Sequence, residues 1–162
     1  MSLLEDKMHR RLFVSAFTGL VGVSFSATNL LAQTKAQLQV WKDPNCGCCK
    51  DWVRHLEANG FQVLVDDSGN TAARARLGIP EKLGSCHTAQ VGGYAIEGHV
   101  PARDIQRLLK ERPAAIGLAV PGMPVGSPGM DGPLYGGRKD PFDVLLVQRD
   151  GRTQVYQAYN RT

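Results

Sequence analysis

Four cysteines carry the most distinctive chemistry of this chain, and three of them lie within one four-residue segment. Cys46, Cys48 and Cys49 form the sequence Cys-Gly-Cys-Cys, and Cys86 follows later in the chain. Cysteines that only staple a fold are usually spread along it, and adjacent Cys48 and Cys49 are poorly placed to bond each other. The clustering therefore indicates a chemical site rather than two structural disulfides.

Two kinds of thiol chemistry fit this spacing. Cys46 and Cys49 form a Cys-x-x-Cys pair at the predicted start of a helix, where free N–H groups and the helix dipole favour thiolates. Thiolates attack disulfides, and they also bind copper(I), zinc and iron–sulfur clusters. A third adjacent thiol invites wrong disulfide pairing, and Cys86 is expected to close a four-sulfur site, so the residues favour metal. A thiol–disulfide oxidoreductase, with Cys46 as attacker and Cys49 as resolver, stays open, as does a zinc or iron–sulfur carrier.

Two methionines bear on which metal would bind. Met123 and Met130 follow near-repeated Pro-Gly pairs in a segment rich in glycine and proline. Thioether sulfur is a soft ligand that suits copper(I) better than zinc, and this segment has little else to bury. Copper(I) is therefore the favoured metal, with simple packing of the two methionines as the alternative.

The histidines and one glutamate are candidates of different kinds. His99 precedes a predicted helix and is a candidate ligand, with helix capping or a turn hydrogen bond as the alternative. His87 adjoins Cys86 and lies near the site. Glu97 is expected to orient a ligand rather than bind metal itself. His55 lies roughly 10 Å along the helix from the cysteines, so we expect it to be a surface or packing residue.

The elements that must position these residues follow a recognisable order. The hydrophobic pattern predicts strands over Gln37–Trp41 and Phe61–Val65, helices from the cysteine motif to about Asn59 and over Thr71–Leu77, a hairpin of His87–Val91 and Tyr94–Glu97, and a helix after Pro101. This order is that of the thioredoxin-like plan, so the predicted fold class is α/β (α+β). A C-terminal hairpin of Phe142–Gln148 and Thr153–Tyr159 is expected as an addition, after a long loop over residues 117–139.

The N-terminal segment has the pattern of an export signal. Basic residues precede the uncharged apolar run from Leu12 to Leu31, and small residues follow, so residues 1–32 are predicted to be a cleaved signal peptide. The segment His9–Val14 also resembles a twin-arginine signal. The chain has a net charge of +4 with dispersed charges, so no nucleic-acid partner is expected, and no membrane association after cleavage. Residues 36–162 are then expected to form the thioredoxin-like domain, which holds the candidate copper site outside the cytoplasm.

Four motifs in order resemble one known family. They are residues 43–49 (Asp-Pro-Asn-Cys-Gly-Cys-Cys), 86–88 (Cys-His-Thr), 94–101 (Tyr-Ala-Ile-Glu-Gly-His-Val-Pro) and 122–130, which contains both loop methionines. Together they are similar to the CopG-type copper-resistance proteins of Gram-negative bacteria, also called domain of unknown function 411. The resemblance extends over residues 38–156.

The resemblance implies a periplasmic thioredoxin-like domain that binds copper(I) for copper resistance or homeostasis. By this resemblance Cys46, Cys48, Cys49 and Cys86 are the thiolate ligands, and they can hold more than one copper ion as a multinuclear cluster, with a single ion as the alternative. Met123, Met130 and His99 also fall on motif positions. The expected partners are copper ions and other periplasmic copper carriers or efflux components. A further hypothesis makes the protein a copper oxidoreductase that couples thiol oxidation to the conversion of copper(II) into copper(I).

Overall fold

A computed structural model of the chain describes residues 35–161. The predicted signal peptide and the twin-arginine motif lie outside this range. The described part contains three helices and seven strands, in the order β1 (Gln37–Lys42), α1 (Gly47–Ala58), β2 (Gln62–Asp66), α2 (Thr71–Arg76), β3 (His87–Val91), β4 (Tyr94–Glu97), α3 (Ala102–Glu111), β5 (Ala115–Ala119), β6 (Phe142–Gln148) and β7 (Thr153–Tyr159). The mixed α+β class is therefore confirmed.

All seven strands form one sheet in the order β2-β1-β3-β4-β5-β6-β7. Strand β1 pairs parallel with β2 and antiparallel with β3, and β3 and β4 form the predicted hairpin. Strands β6 and β7 form the predicted C-terminal hairpin. The loop between α1 and the sheet turns at Gly60, whose φ of +89° is a conformation that glycine adopts without strain.

The main hydrophobic core lies between the sheet and helices α1 and α3. Alternate residues of the strands point to this side, among them Leu38 and Val40 of β1 and Ile96 of β4. They pack with the apolar faces of α1 (Trp52, Val53, Leu56) and α3 (Ile105, Leu108). A smaller cluster on the opposite face contains Ile79, Leu83, Ala95, Ala119 and Val147. Among the described residues, no helix is long and apolar enough to cross a membrane.

The prediction of one uninterrupted loop over residues 117–139 is wrong at its start. Residues 115–119 form β5, which pairs parallel with β4 and antiparallel with β6 and so joins the C-terminal hairpin to the sheet. A Cβ atom at Gly117 would lie 1.7 Å from the carbonyl oxygen of Ala95, so only glycine allows this close approach of β4 and β5. The glycine that suggested a loop is the residue that makes the strand possible.

Candidate metal centre

The three clustered cysteines lie on the first turn of α1 because a tight turn delivers the chain to the helix. The Asp43 carboxylate accepts a hydrogen bond from the Asn45 N–H at 2.8 Å, and the Asp43 carbonyl accepts one from the Cys46 N–H at 3.1 Å. Cys46 is the extended residue that precedes the helix, with φ −70° and ψ 100°. Cys49 is fully buried, whereas Cys46 and Cys48 are half-buried.

The fold brings Cys86 to this turn. The sulfur of Cys48 lies 3.5 Å from that of Cys46 and 3.8 Å from that of Cys86. All four cysteine sulfurs lie within 4.8 Å of one another, which is close enough for one metal ion or a small cluster to be held among them. The four residues that the sequence analysis proposed as ligands are therefore neighbours in space.

The four sulfurs are in different covalent states. Cys46 and Cys49 are joined in a disulfide, and Cys48 and Cys86 are free. The bonded pair is the Cys-x-x-Cys pair that the oxidoreductase hypothesis names. Because a disulfide sulfur lacks the negative charge of a thiolate, Cys46 and Cys49 must be reduced before they can serve as thiolate ligands. Reduction of the disulfide takes two electrons and two protons.

Two histidines face the sulfur of Cys86 from the other side. His87 Nδ1 lies 3.3 Å from this sulfur and His99 Nε2 lies 3.1 Å from it. The second nitrogen of each ring contacts a backbone carbonyl, that of Gly98 for His87 (3.0 Å) and that of Pro128 for His99 (2.8 Å). A carbonyl oxygen only accepts hydrogen bonds, so these ring nitrogens carry the protons. Each neutral imidazole therefore presents its unprotonated nitrogen to Cys86.

Burial maintains the neutral forms of these groups. It lowers the pKa of His87 well below its ordinary value, and the neighbouring His99 ring lowers it further. Burial also lowers the pKa of His99, against the opposing effect of its hydrogen bond to Pro128. For Cys86, burial and then the charge of Cys48 raise the pKa to about 12 in the metal-free protein. A metal ion that binds Cys86 must therefore displace a proton from it.

Aromatic rings hold the two imidazoles in place. The ring of His87 packs against Trp52 with centroids 4.2 Å apart, and His99 meets His87 edge-on at 4.9 Å. Trp52 is itself fixed, because its indole N–H donates to the carbonyl of Val100 at 2.9 Å. Both imidazoles are fully buried, so their orientations are set by packing as well as by hydrogen bonds. Cys86, His87 and His99 form a second group of possible ligands, which shares Cys86 with the first.

The structure places His87 and His99 alike, although the sequence pattern made only His99 a candidate ligand. His99 does not cap a helix. That role belongs to His55, whose Nε2 accepts the hydrogen bond of the Ala102 N–H at the start of α3. His55 is half-buried and lies outside both groups of possible ligands. Since both rings present an unprotonated nitrogen to Cys86, His87 is as good a candidate ligand as His99.

Glu97 is fully buried beside the site, and neither imidazole bonds to its carboxylate. It accepts hydrogen bonds from the Thr88 hydroxyl (2.6 Å), the Ser85 N–H (2.7 Å) and the Arg74 guanidinium (2.9 Å). Burial raises the pKa of Glu97, and the bond from Thr88 is the largest of the opposing effects. Glu97 thus contacts the backbone next to Cys86.

The two loop methionines have different surroundings. Met123 is half exposed and lines an open cavity of about 470 Å³ that also contains Cys86. Met130 is buried, and its sulfur accepts a hydrogen bond from the Tyr135 hydroxyl at 3.2 Å. The loop that carries Met130 packs directly on α1, because a Cβ atom at Gly129 would lie 2.6 Å from the carbonyl oxygen of Cys48. The structure therefore places one methionine at the mouth of the site and the other beside Tyr135.

Tyr135 and Arg74 are the neighbours of the site that the sequence analysis missed. The charges of Cys48 and Cys86 contribute to a raised pKa of Tyr135, after burial, so this ring lies within electrostatic range of the sulfurs. No sequence motif marks either residue, since both reach the site from separate elements. Only the fold brings them there.

Comparison with known proteins identifies a protein family that this chain resembles. The family model described as "Protein of unknown function, DUF411" matches residues 83–130, the segment that contains Cys86, both buried histidines and both loop methionines. No functionally curated protein sequence matches the chain.

Two solved structures match most of the chain. Both are of copper resistance protein CopG, in two forms. Form 1 is 48% identical with a TM-score of 0.71, and form 2 is 49% identical with a TM-score of 0.70. Each match covers 77% of this chain and 98% of the solved chain. The chain therefore belongs to the CopG-like DUF411 family, as its motifs predicted.

Proposed function

We propose that this protein is an exported, periplasmic copper(I)-binding protein for copper resistance or homeostasis. The observation that carries the proposal is the convergence of four cysteine sulfurs within 4.8 Å, with two unprotonated imidazole nitrogens facing the sulfur of Cys86. Soft thiolates in this number favour copper(I), and the two solved relatives are named copper resistance proteins. Zinc remains the main competitor, because it also takes cysteine and histidine ligands.

The proposed ligands are Cys46, Cys48, Cys49 and Cys86, with His99 and His87 on the opposite side of Cys86. A thiolate can bridge two copper ions, so this set supports a small cluster as well as a single ion. Met123 is proposed as a transient ligand at the mouth of the site, where it would bind copper as the ion enters. Met130 would have to give up its hydrogen bond from Tyr135 before its sulfur could bind metal.

The proposal includes a thioredoxin-like fold for the domain. The order β1-α1-β2-α2-β3-β4-α3, a sheet order of β2-β1-β3-β4, and a Cys-x-x-Cys pair at the start of α1 all support it. In this interpretation residues 36–162 form the copper-binding domain, and β5, β6 and β7 extend its sheet. Residues 1–32 are proposed to direct export, and other periplasmic copper carriers or efflux components are the proposed partners.

The experiment that tests the proposal is a copper(I) titration of the reduced, anaerobic protein against a competing chelator. We expect tight uptake of at least one copper ion per chain in the wild type and a large loss of affinity in Cys86→Ser. Parallel circular dichroism spectra would check that the variant is folded. Absence of competitive uptake in the wild type, or uptake unaffected by Cys86→Ser, would contradict the proposed site. The same titration with zinc decides between the two metals.

The Cys46–Cys49 disulfide favours a second function, thiol-dependent redox chemistry. Oxidation of the two thiols to a disulfide releases two electrons and two protons, and these electrons would reduce two copper(II) ions to copper(I). An external dithiol would then restore the thiols. Addition of copper(II) to the reduced metal-free protein should consume two thiols for every two copper(I) ions formed. A protein-directed oxidoreductase would instead reduce insulin disulfides in a reaction that needs Cys46 and survives loss of Cys86.

A further inference from the structure

The backbone that leads into Cys86 is held by side chains from two other elements. The Ser85 N–H donates to Glu97 of β4 at 2.7 Å. The Ser85 carbonyl accepts hydrogen bonds from the Arg74 guanidinium at 2.6 Å and from the Asn70 amide at 3.1 Å. The backbone N–H and the carbonyl of Ser85 are therefore both fixed by side chains rather than by strand pairing, and its hydroxyl donates to the Gly122 carbonyl. The position of Cys86 depends on them, since Cys86 is the next residue.

Arg74 of α2 contacts both Glu97 and the Ser85 carbonyl. Its Nε donates to Glu97 at 2.9 Å while its terminal nitrogen donates to the Ser85 carbonyl. A Cβ atom at Gly84 would lie 3.0 Å from Arg74 Nη1, so the guanidinium lies against the backbone one residue earlier. A lysine ammonium is a point charge and does not present this planar array of donors to a carboxylate and a carbonyl together.

The arrangement is closed on itself. The second oxygen of Glu97 accepts the hydrogen bond of the Thr88 hydroxyl, and the Asn70 amide contacts the same hydroxyl at 3.3 Å. Glu97 is fully buried and Arg74 is 15% exposed, so little water competes for these bonds. Within the part of the chain that the structure describes, no buried side-chain nitrogen or oxygen lacks a partner. A buried network with every member satisfied is rigid.

We propose that Arg74, acting with Glu97 and Asn70, is a positioning residue for Cys86. It fixes the Ser85 peptide and thereby holds the Cys86 sulfur between two imidazole nitrogens and Cys48. The sulfur has three partners on separate elements at 3.1–3.8 Å, and a small rotation of the preceding peptide would lose at least one of them. The inference rests on the proposed function in that Cys86 is taken to be a copper ligand. It also gives α2 a role at a site to which it contributes no ligand.

Alkylation of the oxidised, metal-free protein tests the positioning without any metal. The Cys46–Cys49 disulfide leaves Cys48 and Cys86 as the two free thiols, so the rate at each can be followed with iodoacetamide and mass spectrometry. We expect Arg74→Lys to react severalfold faster at Cys86 while the rate at Cys48 stays the same. Arg76→Lys is the matched control. It lies on the same helix, over the ring of Trp41, and should leave both rates unchanged.

The second measurement is copper(I) competition on the reduced proteins. Loss of an outer partner of a metal ligand typically costs about 10–100-fold in affinity, and we expect Arg74→Lys to fall in this range with an altered thiolate-to-copper absorption band. Arg76→Lys should match the wild type in both respects. Asn70→Ala removes one of the two donors to the Ser85 carbonyl and spares the ion pair. It should show the same changes, smaller in size, and it replaces Arg74→Lys if that variant does not fold.

The outcomes separate the two proposals. Equal acceleration at Cys48 and Cys86, or no change at Cys86, would overturn the positioning role and leave Arg74 as a purely structural residue. If the Cys86 rate rises selectively but the wild type binds no copper(I), the positioning role stands and the proposed function fails. If copper(I) binds tightly and equally to wild type and Arg74→Lys, the proposed function stands and the positioning role fails.

Discussion

The two halves of the candidate site are built in opposite ways. Cys46, Cys48 and Cys49 come from the start of one helix, where Cys46 and Cys48 are half-buried, and Cys46 and buried Cys49 can form or break a disulfide. Cys86 directly precedes β3, His87 begins it and His99 follows β4, and the imidazoles are buried and fixed by carbonyls and by Trp52. The helical half can therefore change its covalent state, while the strand half keeps its geometry. The difference suggests that redox state controls how many ligands are available and that the strand half defines where the metal sits.

The largest effect should come from changing the helical half alone. Oxidation of Cys46 and Cys49 removes two of the four thiolates and leaves Cys48, Cys86 and both imidazoles in place. Loss of a group that hydrogen-bonds a metal ligand typically lowers metal affinity by about 10–100-fold. We expect the copper(I) affinity to fall by more than this on oxidation, and the number of bound copper ions to fall with it. Competition titrations and native mass spectrometry of oxidised and reduced samples would measure both.

A control for this prediction uses the variant Cys46→Ser, which cannot form the disulfide. Its copper(I) affinity should be the same before and after exposure to oxidant, apart from slow oxidation of other thiols. Equal affinity of the oxidised and reduced wild type would contradict the comparison, because the helical half would then contribute no ligand that oxidation removes.

A smaller effect is expected from changing the strand half. His87→Gln and His99→Gln each remove one imidazole nitrogen that faces Cys86, and each should weaken copper(I) binding by about 10–100-fold, the range for a group that supports or completes a metal site. His55→Gln is the matched control, since His55 also accepts a hydrogen bond but lies at the start of α3. It should leave copper affinity unchanged and cost about 1 kcal/mol of stability, as loss of a helix cap does. If all three substitutions weakened copper binding equally, His87 and His99 would have no special role at the metal site.

The stability of the metal-free protein should respond to pH through the strand half. Cys86 has a pKa of about 12 in the folded protein, raised mainly by burial, against about 8.5 in an unfolded chain. A group whose pKa is raised on folding stabilises the protein fully below the unfolded value, and this stability is lost as pH rises towards the folded value. The free energy of unfolding should therefore decline as pH rises above about 8.5.

On the acid side the two histidines act in the opposite sense. Burial lowers their pKa values, so the unfolded chain binds protons that the folded protein refuses, and stability should fall as pH drops below about 6.5. Denaturant unfolding of the oxidised, metal-free protein, in which Cys46 and Cys49 do not titrate, would measure the loss of stability at both ends of this pH range. In Cys86→Ser the free energy of unfolding should decline less above about pH 8.5, and its decline below about pH 6.5 should be preserved. An alkaline decline that is unchanged in Cys86→Ser would assign the effect to other groups.

The sequence predicted the helical half well because its information is local. The cysteine motif, the turn before it and the inward face of α1 are all contained in fewer than twenty residues, and their periodicity indicates their structure. The strand half could be predicted only through the expected order of elements and the family resemblance, since Cys86 and His99 lie on different segments and no spacing rule relates them to α1. His87 was assigned a lesser role for the same reason, because ring orientation depends on Trp52 and on the carbonyl of Gly98.

Long-range contacts also explain the other departures. The segment that begins at Gly117 was predicted to be a loop because it is rich in glycine and proline, and the fit of Gly117 against Ala95 is visible only once β4 and β5 are paired. The pairing of Arg74 with Glu97 joins α2 to β4 across 23 residues, and neither residue has a pattern that predicts the other. The signal peptide over residues 1–32 stays a prediction.

The smallest effect at equilibrium should come from Met123, which belongs to neither half. Its side chain is 52% exposed at the mouth of the cavity that reaches Cys86, so it can meet an incoming copper ion without completing the buried site. Met123→Leu keeps a similar volume and removes the thioether. We expect the copper(I) affinity to stay the same while transfer of copper(I) from a chelator becomes slower, as stopped-flow absorbance would record. A loss of copper(I) affinity as large as that of His99→Gln would instead show that Met123 is a ligand of the bound copper. The centre would then include the loop as well as the helical half and the strand half.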